Sequence, residues 1–265
     1  GLDYEVGRGT SHGLAGTTFH VHGEPNRKDA NARRSELRRS DACASTHHHH
    51  HHPHRHLADI EALIAHGALT ERARALALKA FRFVAEAEAK AHGCAVGEVH
   101  FHEVGAVDSI ADIVGACALY DALGAPECVV DGLTEGSGTV MCAHGELPVP
   151  VPATLNIAAA AGIPLRRANV PTELITPTGI ALAATFRTRT APPARFRVAK
   201  VGVGLGTRDI GRPNALRALL LEEDAAPERI WQVVTNLDDA TGETLAHAAE
   251  ALMAAGARDV CALPC

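Results

Sequence analysis

The chain has 265 residues, 46% of them hydrophobic and 3% aromatic, with a formal net charge of −6. That length suits one large domain or two ordinary ones. The charge and the scarcity of aromatics exclude a stacking platform for nucleic acid, and no apolar run or signal peptide points to a membrane.

Arg33, Arg34, Arg38 and Arg39 cluster, but Glu36 and Asp41 interleave with them, so they read as a polar loop. The seven cysteines are odd in number, scattered and without a C-x-x-C pair, which suits reduced thiols in a cytoplasm. The sequence starts at Gly1 and stops at Cys265 just after a strand-like Arg258–Leu263, so a fragment of a longer protein is the expectation.

In chain order, residues 1–23 alternate polar and apolar around glycine-rich turns, the pattern of short strands. Residues 24–55 lack apolar periodicity and are expected to be a mobile loop. Leu57, Ile60 and Ile64 recur at helical spacing up to Gly67. Thr70 caps a second helix that Gly93 closes. "GEVHFHEVG" reads as a short strand. A third helix starts near Asp108, with Ile110, Ile113, Val114 and Cys117 as its apolar face and Gly124 as its stop. "CVVDGL" reads as a buried strand, and "ELPVPVPATLNIAAAAG" as an extended prolyl run leading into a helix. "TELITPTGIALAATF" sets Thr-Pro-Thr-Gly before another helix. "FRVAKVGVGLGTRD" is a strand entering a glycine-rich turn. Pro227 and Glu228 suit a boundary, after which "IWQVVTNLDDATGETLAHAAEALMAAGARDVCALPC" reads strand, helix, strand. The expected fold is mixed α/β (α+β). A larger N-terminal α/β domain spans 1–226, and residues 227–265 open a small C-terminal nucleotide-binding α/β domain.

Several constellations carry chemistry. On a strand, Glu98, His100 and His102 would share one face. Asp108 and Asp112 lie four apart on one side of the next helix, and Glu103 could add a further oxygen. Imidazole with carboxylate suits Ni, Zn, Co or Fe(II). The same residues also read as surface histidines, with Asp108 as a helix cap. "HHHHHHPHRH" sets His47, His48, His49, His50, His51, His52, His54 and His56 within ten residues, a flexible set of ligands favouring Cu, Ni and Zn. Its flexibility argues against a catalytic centre. Cys142 and His144 could form a thiolate–imidazole pair, or simply belong to a structural loop.

Thr176, Thr178 and Gly179 at a helix start offer a phosphate seat, or a plain cap. Gly202, Gly204 and Gly206 fail the dinucleotide fingerprint because position 207 is Thr, leaving a turn that could touch ligand. Asn236, Asp238 and Asp239 before a helix suit a Mg²⁺- or Mn²⁺-bound nucleotide, or helix capping with favourable charge–dipole placement.

"VHFHEVGAVDSIADIVGACALYDALG", "ELITPTGIALAATF", "VGVGLGTRDIGRPNALRALL" and "TNLDDATGETLAHAAEALMAAGARDV", in that order, resemble the nickel-pincer-nucleotide nickel insertion proteins, the LarC family. The resemblance runs from about His56 to the end, and a histidine-rich insertion is common in the family at this position. It implies insertion of Ni²⁺ into a pyridinium-3,5-bisthiocarboxylic acid mononucleotide. It further implies consumption of CTP to CMP and pyrophosphate with Mg²⁺ or Mn²⁺, and nickel held by two sulfurs and a carbon. The product is the cofactor of lactate racemase-type enzymes, and the activity would belong to the lyase class.

On this reading His100, His102, Glu103, Asp108 and Asp112 hold nickel or a structural metal, and the histidine tract concentrates it. Thr176, Thr178 and Gly179 seat the substrate phosphate, and Asn236, Asp238 and Asp239 place the CTP metal. A homo-oligomer is in keeping with the family, whereas nucleic acid and membranes are not expected partners. The family's opening "SGISGDM"-like segment and most of its C-terminal domain, which carries much of the CTP site, have no counterpart here. A nickel store working through the tract, or a metal-dependent hydrolase using His100, His102 and Asp108, are the alternatives.

Overall fold

The computed structural model describes residues 3–22, 55–99, 101, 107–142, 145–223 and 231–263. The chain divides into two compact units, Gly1–Asp224 and Ala225–Cys265. Pro227 and Glu228, expected at the boundary, lie outside the described residues, as do residues 24–54 of the loop expected over 24–55; Arg55, its last residue, is described and bridges Phe101.

In the first unit, β1 (Asp3–Ser11) and β2 (Leu14–His22) form an antiparallel hairpin. Its two-residue turn, His12–Gly13, has positive φ at both positions, the backbone that matches the twist of a hairpin. Helix α1 (Leu57–His66) buries Ile60 and Ile64 and ends at Gly67. Helix α2 (Glu71–His92) begins where Thr70 Oγ1 accepts the Ala73 N–H, and ends at Gly93 in the left-handed region. Helix α3 spans Val107–Ala122. Then come β3 (Leu133–Glu135), the β4 (Thr139–Cys142) and β5 (Gly145–Pro148) hairpin, and α4 (Pro152–Ala161). Strand β6 (Leu165–Arg167), helix α5 (Pro177–Phe186) and strands β7 (Phe196–Leu205) and β8 (Ala215–Glu223) complete the unit.

The core lies around α2, which packs against α1, α3, α4 and α5. Its inward face is mostly alanine, with Ala73, Ala77, Ala80 and Ala85 buried beside Phe81 and Val84. Small side chains let the neighbouring helices approach, and Ile113, Cys117, Ile157 and Ile180 fill the space between them. β3 and β6 pair in parallel, Leu133 opposite Leu165. A four-stranded sheet runs in the order β1-β2-β7-β8, antiparallel except where β2 meets β7 at Thr17 and Gly204.

Two expected strands of the first unit are corrected. Within "GEVHFHEVG", Val96–Glu98 is a 3-10 turn, because Glu98 Oε2 reaches back to accept the Ala95 N–H at 3.1 Å. Glu98 therefore does not share a strand face with the histidines. Phe101 makes only an isolated bridge to Arg55, while His100 and His102 lie outside the described residues. "CVVDGL" holds a single bridge, Val129 to Arg189, and strand pairing starts only at Leu133. A short apolar run specifies burial but not a partner.

In the second unit, α6 (Gly242–Ala254) is capped by the Thr241 hydroxyl, as the spacing predicts. The flanking segments expected as strands carry no strand pairing in residues 231–237 or 258–263. An extended segment becomes a strand only through a neighbour's hydrogen bonds, and Trp231 and Val233 are instead 83% and 89% exposed. Among the described residues, no helix is long and apolar enough to cross a membrane.

Candidate functional site

Of the chemistry-bearing segments of the first unit, the stretch before α5 meets the end of β3, and the glycine-rich turn reaches that stretch. Glu135, the last residue of that strand, is 2% exposed. Its Oε1 accepts three backbone N–H groups, from Gly136 at 2.7 Å, Leu174 at 2.8 Å and Ile175 at 3.2 Å. Its Oε2 is buried without a hydrogen-bond partner. The carboxylate thus clamps the "TELIT" segment to β3, directly ahead of α5. Ser137 N–H reinforces this by donating to the Val170 carbonyl at 2.8 Å. Gly136 is required here, because a Cβ would fall 1.8 Å from the Thr172 oxygen and 2.7 Å from the Val170 oxygen.

The clamp delivers Thr176 to the start of α5, where its hydroxyl accepts the Gly179 N–H at 3.1 Å. Pro177 occupies the first turn and has no N–H to give. The cap therefore engages the Gly179 donor and leaves the Thr178 amide and hydroxyl as the donors this helix start can present to a phosphate.

The β7–β8 connection reaches the same segment. Arg208 Nη1 donates to Thr172 Oγ1 at 3.3 Å, and Asn214 Nδ2 donates to the Arg208 carbonyl at 3.0 Å. Asp209 Oδ1 accepts the Gly211 N–H at 2.9 Å and lies 3.0 Å from His12 Nε2. The Gly211 amide, with the His12 imidazole second, holds the Asp209 carboxyl below its usual range. Ser11 Oγ accepts the Asn214 N–H at 3.2 Å and completes the tie between hairpin turn and loop. The glycine-rich turn read from sequence is therefore a built loop joined to both the hairpin tip and the segment before α5.

The other expected residues fall as follows. Asp108 sits in the first turn of α3, its Oδ1 accepting the Ser109 N–H at 2.9 Å, and Asp112 is exposed one turn on. His100, His102 and Glu103 lie outside the described residues, as do His47 through His52, His54 and His144. His56 is the N-cap of α1, its N–H donating to the Asp59 carboxylate at 2.8 Å. Cys142 Sγ donates to the Gly145 carbonyl at 3.3 Å within the β4–β5 turn. In the second unit Asn236, Asp238 and Asp239 are exposed ahead of α6. Among the described residues, no three His, Cys, Asp or Glu side chains gather as a metal centre. A cleft of about 270 Å³ beside α1 and α3 is lined by Leu63, Ile64, Leu69, Ile110 and Val114 together with small residues. It offers an anionic ligand no polar side chain.

Sequence reading missed Glu135, Gly136, His12, Arg208 and Asp209. The available signal was "TEGSG", an acidic residue closing a strand before two glycines. Its partners stand far along the chain, 39 and 40 residues away for Leu174 and Ile175 and 197 for the His12–Asp209 pair.

Comparison with known proteins gives a consistent result. A family model described as "Nickel insertion protein" matches residues 1–265. The chain is 44% identical over 229 residues to the pyridinium-3,5-bisthiocarboxylic acid mononucleotide nickel insertion protein of Alkaliphilus metalliredigens, covering 80% of this chain and 54% of the relative. It is 49% identical over 215 residues to a putative nickel insertion protein of Myxococcus xanthus, covering 80% and 54%. A putative nickel insertion protein of Rhodopirellula baltica is 43% identical over 227 residues, covering 82% and 57%. The chain spans about half the length of the curated relatives it matches. No solved structure matches.

Proposed function

The chain belongs to the nickel insertion protein family, and on that premise we propose that it acts in inserting Ni²⁺ into pyridinium-3,5-bisthiocarboxylic acid mononucleotide, in a CTP-dependent, lyase-class reaction in the cytoplasm. The observation that carries this reading is the family match along all 265 residues, joined to the identity with a relative named for that substrate. Nickel is the substrate metal, and the product is the nickel-pincer cofactor.

The substrate's chemistry sets what the chain must supply. Its phosphate needs donors, and the Thr178 amide and hydroxyl at the start of α5 provide them beside the helix dipole. Glu135 and Gly136 hold that helix start in place. The 3- and 5-thiocarboxylates offer two soft sulfurs flanking one ring position, a pincer geometry for nickel. His100 and His102, with Glu103, Asp108 and Asp112, hold the incoming ion before transfer. The tract from His47 to His56 raises the local nickel concentration.

Mg²⁺ or Mn²⁺ fits the second unit by donor type, since Asp238 and Asp239 are adjacent exposed carboxylates and Asn236 adds a carbonyl oxygen. Such a cation would neutralise the CTP phosphates. The Thr241 hydroxyl caps α6 itself, so the two carboxylates are not needed for that task.

The test of the nickel site is a His100→Ala, His102→Ala double variant. It is expected to bind the mononucleotide normally and to lose nickel transfer. Transfer at the parent rate would refute the assignment. CTP dependence is read in parallel by following CMP and pyrophosphate release with the mononucleotide present and absent.

A further inference from the structure

We propose that Arg208, backed by the His12–Asp209 pair, is the residue that recognises a ring carboxylate or thiocarboxylate of the pyridinium ligand. The inference deepens the proposed function and rests on it.

Arg208 is exposed, and its guanidinium is fixed by a neutral hydroxyl, Thr172 Oγ1, at 3.3 Å. A guanidinium has five N–H donors in a planar fork that matches a carboxylate. One is spent on Thr172, and no carboxylate of the described residues pairs with the head. Other arginines of this unit are committed differently. Arg166 is paired with Asp131 at 2.7 Å, and Arg189 with Glu127 and Glu223 at 3.3 and 3.0 Å.

The acid nearest in sequence is Asp209, which would be expected to quench its neighbour. It does not, because its Oδ1 is taken by the Gly211 N–H and faces the His12 imidazole. The hairpin turn thus draws the competing carboxylate aside and leaves the fork open. Two further contacts hold the arrangement. Asn214 Nδ2 donates to the Arg208 carbonyl, and the Asn214 N–H donates to Ser11 Oγ. Gly206 is part of the same construction, since a Cβ there would lie 2.6 Å from Asn214 Nδ2.

Thr172, which carries the guanidinium, lies on the segment that Glu135 clamps and that leads to Thr176. An anion-recognising fork and a helix start suited to phosphate are therefore mounted on one short stretch of chain. A mononucleotide bearing acidic groups on its ring has both kinds of anion.

Isothermal titration of the full chain tests this with two probes, a pyridinium mononucleotide carrying a 3-carboxylate and its 3-carboxamide counterpart. The expected result is preference for the carboxylate form by roughly tenfold or more, the usual worth of a charge-assisted fork contact. Arg208→Gln should abolish the preference while leaving the carboxamide form bound as before. His12→Asn, which suits the left-handed turn, should reduce the preference less, by freeing Asp209 to compete. An unchanged preference in Arg208→Gln would overturn the inference. Equal binding of both probes by the parent, with ribose 5-phosphate competing, would overturn it while leaving the phosphate seat intact. Binding of neither probe would overturn the proposed function and this inference with it.

Discussion

Replacing Glu135 with Ala removes the acceptor of three backbone N–H groups at once. The donors of Gly136 and Ile175 are buried and that of Leu174 half-buried. An orphaned buried donor costs about 1–3 kcal/mol. Water entering the vacated volume would recover part of this, so about 1–2 kcal/mol per donor, or about 3–6 kcal/mol in all, is expected. That is a large share of a typical domain's stability. Glu135→Gln keeps an acceptor oxygen in place and should cost less, about 1–2 kcal/mol, the difference between a charged and a neutral acceptor. The assay is amide hydrogen exchange at Leu174 and Ile175, with urea unfolding alongside. The Ala variant should lose protection at both amides and the Gln variant should keep most of it. Protection at both amides in the Ala variant, with stability within about 1 kcal/mol of the parent, would refute the clamp.

Other perturbations have equally defined outcomes. Gly136→Ala places a methyl 1.8 Å from the Thr172 oxygen, which must move. It should destabilise by about 1–3 kcal/mol and weaken mononucleotide binding measured by calorimetry. Burial pushes the Cys117 thiol up to about 12. Its thiolate is therefore scarce below that pH in the folded chain, so Cys117 should resist alkylation at pH 8 while exposed Cys261 reacts, as peptide mass spectrometry would show. Deleting residues 47–54, which spares Arg55 and the α1 N-cap His56, should lower the nickel bound per chain, measured by metal analysis after dialysis, yet leave turnover intact at saturating nickel. Lost turnover at saturation would give the tract more than an accessory role.

The helical body was legible in the sequence because its signals are local. Thr70 and Gly93 bound α2, and Ile60, Ile64, Ile113 and Cys117 recur at the period that buries one face. The prolyl run into α4 and the presence of strands at the start were legible for the same reason, whereas the pairing of those strands into one hairpin was not read. "CVVDGL" was misread because a short apolar run does not say whether a strand will pair beside it. The segments around α6 were misread because a strand needs a neighbour that the sequence of that segment cannot name. At the candidate site, the Thr176 cap announced itself through Thr-Pro-Thr-Gly, whereas Glu135 could not. Its role exists only once Leu174 and Ile175 arrive beside β3. The His12–Asp209 pair is likewise a product of β2 lying beside β7.

The most direct measurement of the central claim is mass spectrometry of the mononucleotide itself. The full-length parent protein would be incubated with Ni²⁺, pyridinium-3,5-bisthiocarboxylic acid mononucleotide and Mg²⁺ or Mn²⁺, with CTP in one tube and without it in another. The account predicts a nickel-bearing mononucleotide in the tube with CTP and none in the other. Nickel retained by the protein, with no nickel on the mononucleotide in either tube, would contradict it.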